Sequence, residues 1–264
     1  MVDATSPYIE SNVLLCDILD CQTKDLHAWS DRLLTTVQQD RFKRCVQQRL
    51  LGIPIAYITE ICGFWSLDLK VTKDTLIPRA DTELLVTLSL DYLQPDMIVA
   101  DLGTGSGAIA LALAREQPSI KVLAIDYSRS ALQLAKINSL ENQLYNIIFI
   151  QANWLAASKD AVFDLIISNP PYIVEDDPHL IEGDVRFEPS AALVSGKDGL
   201  TDIRVIVEQA RFSLKANGWL LVEHGYHQAN QVGEIFSFAG FINICSYQDY
   251  GGNDRAIMGQ LSSH

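Results

Sequence analysis

No stretch of this 264-residue chain approaches 18 consecutive apolar residues, which excludes a helical membrane span. The opening residues, MVDATSPYIESN, lack a basic segment and a long apolar run, so no secretory leader is expected. Cysteine is scarce: Cys16, Cys21, Cys45, Cys62 and Cys245 are odd in number and show no CxxC spacing. Such usage reads as reduced thiols in a cytoplasmic protein. Basic residues are short as well, 20 Lys and Arg against 33 Asp and Glu, a net charge of −13. Phosphate neutralisation needs clustered Lys and Arg, so nucleic acid is not an expected direct partner. The imbalance is uneven, because residues 1–75 hold 8 basic and 10 acidic side chains. A basic partner, or a nearly neutral face on the N-terminal part, is compatible with this. The one close histidine pair, His224 and His227, has Glu223 as its only acidic neighbour, so no metal site is expected.

What is present suffices for a core. The chain is 48% hydrophobic and 20% charged, ordinary for a globular protein long enough to fold without disulfide or metal staples. Residues 6–51 carry Leu, Ile and Val three or four apart, with helix starts expected at Thr23-Lys24-Asp25 and Ser30-Asp31. A small helical bundle over 1–54, closed by Gly52-Ile53-Pro54, is the expected first domain. Residues 55–75 alternate apolar and polar from Trp65 onward, the period of a half-buried hairpin strand. A helix from Asp81 to Leu93, ended by Pro95, opens the remaining domain, 76–264.

From residue 97 short apolar strands alternate with amphipathic helices. Strands are expected at 98–102, 122–126, 147–150, 163–168 and 219–223, and helices at 107–117, 128–141 and 200–215. This α/β pattern implies a Rossmann-like, mostly parallel sheet covered on both faces. Ligands of such sheets bind beyond the carboxyl ends of the strands.

After the first of these strands comes Asp101-Leu102-Gly103-Thr104-Gly105-Ser106-Gly107. Glycines allow a tight turn and close approach to a ligand, and the next helix start offers free N–H groups. Asp126 ends the second strand, where a carboxylate can accept ribose hydroxyls. Together they indicate a nucleoside-containing cofactor without saying which, since Gly103, Gly105 and Ala108 also satisfy a dinucleotide fingerprint. Asp101 favours a methionine-type ligand, whose ammonium group needs an acceptor. After the third strand, Asn153 and Trp154 offer a side-chain carbonyl and an indole for an adenine. After the fourth stands Asn169-Pro170-Pro171-Tyr172. Neither proline has an N–H, so this stiff turn presents acceptors, including Asn169 Oδ1, that suit a planar NH2 group.

These residues resemble class I S-adenosylmethionine-dependent methyltransferases acting on planar nitrogen. The chain is similar to the HemK-type release factor glutamine methyltransferase family. The resemblance extends through TLIPRADTE at 75–83, DLGTGSG at 101–107, SNPPYI at 168–173, GDVRFEP at 183–189 and DYGGNDR at 249–255. It implies a catalytic sheet of about seven strands with an antiparallel last strand. It implies a cofactor site, for S-adenosyl-L-methionine and its product S-adenosyl-L-homocysteine, lined by Gly103, Thr104, Gly105, Ser106, Gly107, Asp126, Trp154 and Asn169. Asn169, Pro170, Pro171 and Tyr172 would hold a glutamine amide, with Asn169, Pro170 and Tyr172 serving catalysis. The 1–54 bundle and the 55–75 hairpin would dock a peptide chain release factor. No metal and no membrane are implied, and a cytoplasmic monomer is expected. Three departures stand out: Asn153 where the family often has Asp, Glu60 where Gly is usual, and Ser66 where many have Gly. The alternative is an adenine amino-methyltransferase acting on nucleic acid, which the acidic composition opposes. A binding scaffold that no longer transfers methyl groups is opposed by the intact Asn169–Tyr172 turn.

Overall fold

A computed structural model of the protein describes residues 6–28, 31–156, 158 and 160–262. Two compact units emerge from the contacts, one of Met1–Ile61 with Pro178–Glu188 and one of Cys62–Asp177 with Pro189–His264. Pro178–Glu188, expected within 76–264, groups instead with the N-terminal residues.

In the first unit, helix α1 spans Pro7–Leu19, α2 Thr23–Ala28, α3 Thr36–Leu50 and α4 Ile55–Thr59. Ser6 caps α1 ahead of a proline that pre-sets the first turn. Thr35 and Gln38 form a reciprocal capping box on α3. Leu14, Ile18 and Cys45 make a small core with Phe42, Val46, Ile55 and Ile58 against it. Arg49 ties the distant segment in, reaching Glu10 Oε1 and Asp184 Oδ1, both at 2.8 Å. The helix start at Thr23 forms. Of the start at Ser30-Asp31, Ser30 lies outside the described residues and Asp31 sits in a turn.

Glu60 closes α4 at φ +59°, ψ +15°, a left-handed conformation that costs a residue with a Cβ about 1–2 kcal/mol. Its departure from the family's glycine is thus a strained one. Glu60→Gly should stabilise the protein by roughly 0.5–1 kcal/mol, after the entropy glycine adds to the unfolded chain. A higher urea midpoint at unchanged slope would show it; a lower midpoint would contradict it.

Strands β1 (Ile61–Phe64) and β2 (Leu67–Lys70) form the hairpin. Along β2, Leu67 and Leu69 are buried while Asp68 and Lys70 are exposed, the alternation seen in the sequence. Helix α5, Glu83–Leu90, follows a 3-10 turn at Ala80–Thr82, so the expected helix is shorter than 81–93. Then come β3 (Ile98–Leu102), α6 (Ala108–Glu116), β4 (Lys121–Asp126), α7 (Arg129–Glu141), β5 (Ile147–Gln151) and β6 (Phe163–Ser168). They are followed by α8 (Thr201–Ser213), β7 (Leu214–Glu223), α9 (Ala229–Phe238), β8 (Phe241–Gln248) and β9 (Asp254–Leu261).

The seven-stranded sheet runs β5-β4-β3-β6-β7-β9-β8. Strands β3 to β7 pair in parallel, and β9 inserts antiparallel between β7 and β8. Successive side chains of a strand face opposite sides. Along β3, Val99 packs with Leu85, Val86 and Leu111, whereas Ala100 and Leu102 pack with Ile203, Ile206 and Val207. Both faces being covered, the strands read as continuous apolar runs. The carboxyl ends of β3, β4, β5 and β6 carry the sequence motifs.

Candidate active site

A cavity of about 570 Å³ opens at those strand ends, within the range of about 300–1,000 Å³ typical of small-molecule sites. Gly103, Thr104, Gly105, Ser106, Asp126, Asn153, Trp154, Asn169 and Pro171 line it. Pro170, Tyr172 and Gly107 do not.

The glycine turn is held from three sides. Gly103 N and Thr104 N donate to the Ile125 carbonyl at 2.8 and 3.0 Å. Gly105 N donates to Asp126 Oδ2 at 2.9 Å. The fully buried Asn138 donates to the Ser106 carbonyl at 2.8 Å and binds both backbone polar groups of Lys70. Gly103 has φ +71°, and a Cβ there would meet the Trp154 ring at 3.2 Å. Gly107 serves packing: at φ +91°, a Cβ would strike Leu111 at 2.5 Å and Ala135 at 3.2 Å.

Asp126 accepts from Gly105 N and, at 2.8 Å, from Ser128 N. A carboxylate has about four acceptor sites, so capacity for hydroxyl donors remains. Burial raises its pKa, opposed by those backbone donors. Asp101, assigned from the sequence as an acceptor for a ligand ammonium group, lies beneath the loop, 1% exposed and outside the cavity lining. Its Oδ2 accepts from Thr104 Oγ1 at 2.6 Å and from Ala110 N at 3.1 Å. It thus steadies the loop and takes an N–H that the sequence reading left free for a ligand. Its Oδ1 has no hydrogen-bond partner, and burial pushes its pKa up to about 7.

Trp154 adopts φ +49°, and its indole N–H donates to Asp202 Oδ1 at 3.2 Å. Asp202 is fixed in turn by Ser195, whose hydroxyl donates to Oδ2 at 2.7 Å. The indole is thereby held beside the glycine turn. A cradle a Cβ would narrow, an acidic group at the end of β4 and an oriented indole fit a nucleoside-bearing cofactor.

The Asn169–Tyr172 turn is pinned along its length. Asn169 Nδ2 donates to Thr82 Oγ1 at 3.0 Å. Tyr172 Oη donates to Glu223 Oε1 at 3.1 Å, and the Tyr172 carbonyl accepts from Gln228 Nε2 at 3.1 Å. Ile173 forms an isolated parallel bridge with Val194, its N–H donating to the Leu193 carbonyl and its carbonyl accepting from Ser195 N. The Tyr172 ring, expected beside the substrate amide, packs instead with the core on the α8–α9 face. Sequence reasoning missed Thr82, Glu223, Asn138 and Asp202. Thr82 stood in the TLIPRADTE run, the one signal that pointed near it. His224 follows β7, buried, its Nδ1 2.9 Å from the Gly225 carbonyl; His227 stacks on Tyr226 in a turn, so the pair does not share a helix.

Known families match both parts of the chain. A methyltransferase small domain family matches residues 80–183, and the PrmC N-terminal domain family matches residues 2–59. The release factor glutamine methyltransferase of Aliivibrio fischeri is 46% identical over 97% of this chain and 90% of its own length. That of Vibrio cholerae is 46% identical over 98% and 91%. A methyltransferase structure from Pyrococcus furiosus, 16% identical, superposes with a TM-score of 0.58 over 84% of this chain and all of its own. That likeness concerns the fold, which is the class I methyltransferase sheet. With such identity sustained across both units, the chain belongs to the release factor glutamine methyltransferase family.

Proposed function

We propose that this protein transfers a methyl group from S-adenosylmethionine to the side-chain amide nitrogen of the glutamine in the Gly-Gly-Gln loop of peptide chain release factors. The observation that carries the reading is the state of Asn169. Its Nδ2 is committed to Thr82, so Oδ1 is the end offered at the cavity. The Pro170 carbonyl, next in the same turn although Pro170 is outside the cavity lining, is assigned as the second acceptor, and the residue that follows has no N–H to compete.

Gly103–Ser106, Asp126, Asn153 and Trp154, which line the cavity, would hold the cofactor, Asp126 toward its ribose and Asn153 and Trp154 toward its adenine. When bound, the cofactor would supply the electrophile as its sulfonium methyl, the S–C bond breaking as the N–C bond forms and its electron pair leaving on the sulfur of S-adenosylhomocysteine. An amide nitrogen is a weak nucleophile because its lone pair is delocalised into the carbonyl. Two acceptors, Asn169 Oδ1 and the Pro170 carbonyl, would orient the NH2 group and favour pyramidalisation of its nitrogen. Such alignment is worth up to about 7–11 kcal/mol of barrier. Positive charge grows on the nitrogen during attack, and the same fixed carbonyl dipoles stabilise it. The protonated product amide is acidic enough to lose its proton to water, so no general base is needed.

Residues 1–54 and the 55–75 hairpin are assigned to docking of the folded release factor. A full-length release factor incubated with the protein and cofactor should gain one methyl by intact mass. Gln→Ala in its loop should abolish the gain. Methylation of a short Gly-Gly-Gln peptide as efficient as that of the folded factor would remove the docking assignment. A preference for adenine in DNA or RNA would overturn the function.

A further inference from the structure

An asparagine amide has two ends of nearly equal shape and opposite hydrogen-bonding sense. At Asn169 only one orientation serves: Oδ1 accepts from a substrate NH2 group, while Nδ2 would set donor against donor. Thr82 alone does not choose, because a hydroxyl can donate to one end or accept from the other. The choice is made one step further on. Thr82 Oγ1 lies 2.8 Å from Glu223 Oε2, a contact between residues 141 apart in the chain. Tyr172 Oη occupies Oε1. An ionised carboxylate only accepts, so both hydroxyls direct their hydrogens at Glu223. Thr82 keeps only lone pairs for Asn169, and the amide must donate Nδ2.

Resting on the function proposed above, we infer that Glu223 is a positioning residue that sets the direction of the Asn169–Thr82–Glu223 hydrogen-bond chain and so turns Asn169 Oδ1 toward the methyl acceptor. Protonation at Oε2 would reverse the chain. Glu223 would donate to Thr82, Thr82 would donate to Asn169, and the amide would show its NH2 end to the substrate.

Charged and titratable groups surround Glu223 on each packed element. Asp81 comes from the 3-10 turn, Tyr172 from the turn after β6, and Arg255 from β9. Arg255 is held by Asp249 at 3.0 Å and lies 3.6 Å from Asp81. Arg79 bears on Tyr172, and His224 is the next residue along the chain. Burial outweighs the hydroxyl donors and Arg255 and lifts the Glu223 carboxyl to about 7. The ionised form therefore gains above this value, and turnover should rise with pH through it.

The test measures turnover of the full chain with saturating cofactor and release factor, from about pH 6 to about pH 9. Glu223→Gln cannot ionise, yet its Oε1 can still accept from Thr82 while Nε2 donates to Tyr172 Oη, so it should abolish the acid limb and leave the cofactor KM within about twofold. Asp101, also raised to about 7, stays unchanged in that variant, so a limb of its making would persist. Thr82→Val removes the link itself and should cut turnover about 10- to 100-fold, and Thr82→Ser should restore most of it. A retained acid limb in Glu223→Gln overturns the inference. If Glu223→Gln fails to fold by thermal unfolding, Thr82→Val decides, and turnover within about twofold of wild type overturns it. The Asn169 side-chain amide, followed by NMR without substrate, should shift through the same pH range in wild type but not in Glu223→Gln. A constant wild-type signal overturns the inference, whereas a wild type that leaves release factor unmethylated defeats the functional reading alone.

Discussion

Asn169→Ala should lower turnover by about a hundredfold or more while the protein stays folded. The variant removes one of the two acceptors that aim the substrate nitrogen, and that contact tightens as the nitrogen pyramidalises. The loss therefore belongs to turnover more than to binding. Structural damage is small, because Thr82 keeps its bond to Glu223. One half-buried side-chain hydrogen bond is lost, worth about 1 kcal/mol. Single-turnover kinetics with folded release factor, alongside thermal unfolding, would measure both effects. Turnover within about threefold of wild type would remove Asn169 from the mechanism.

Asp126→Ala should weaken S-adenosylmethionine binding by roughly 1.5–3 kcal/mol, about 10- to 150-fold in affinity. Two losses combine. The carboxylate no longer accepts from a ribose, and Gly105 N and Ser128 N lose the acceptor that holds them. The glycine turn is then less ordered before the cofactor arrives, and binding must supply that order. Calorimetry on wild type and variant would give the difference. NAD should give no binding heat with either. Tight NAD binding, or affinity indifferent to Asp126→Ala, would refute the cofactor assignment.

The catalytic sheet was legible because its signals are local. Each of strands β3 to β6 is a short apolar run whose period and boundaries depend on residues within a few positions of one another. Ser128, for instance, both reads as a helix start and caps α7 through its bond from Ala131 N. Strands β8 and β9 carried no such pattern. β8 is an edge strand exposed at Ile242, Asn243, Cys245 and Ser246, so its sequence lacks the continuous apolar run of the buried strands. Only the resemblance to the family supplied the antiparallel strand.

By itself the sequence determined that its motifs gather on one side: glycines, acid and Asn-Pro-Pro-Tyr turn stand at strand ends, and a parallel sheet brings its carboxyl ends together. It could not determine which of those residues face the cavity. Tyr172 and Asp101 both looked like ligand contacts, yet one is drawn to Glu223 and the other lies under the loop holding Thr104 and Ala110. Nor could it place residues 178–188 with the first unit, where Asp184 meets Arg49 across 135 positions. The sense of the Asn169 amide was beyond it for the same reason. A side chain's hydrogen-bonding direction is set by the partner it meets, and Thr82 and Glu223 become partners only when the turn before α5 and the end of β7 are folded against each other.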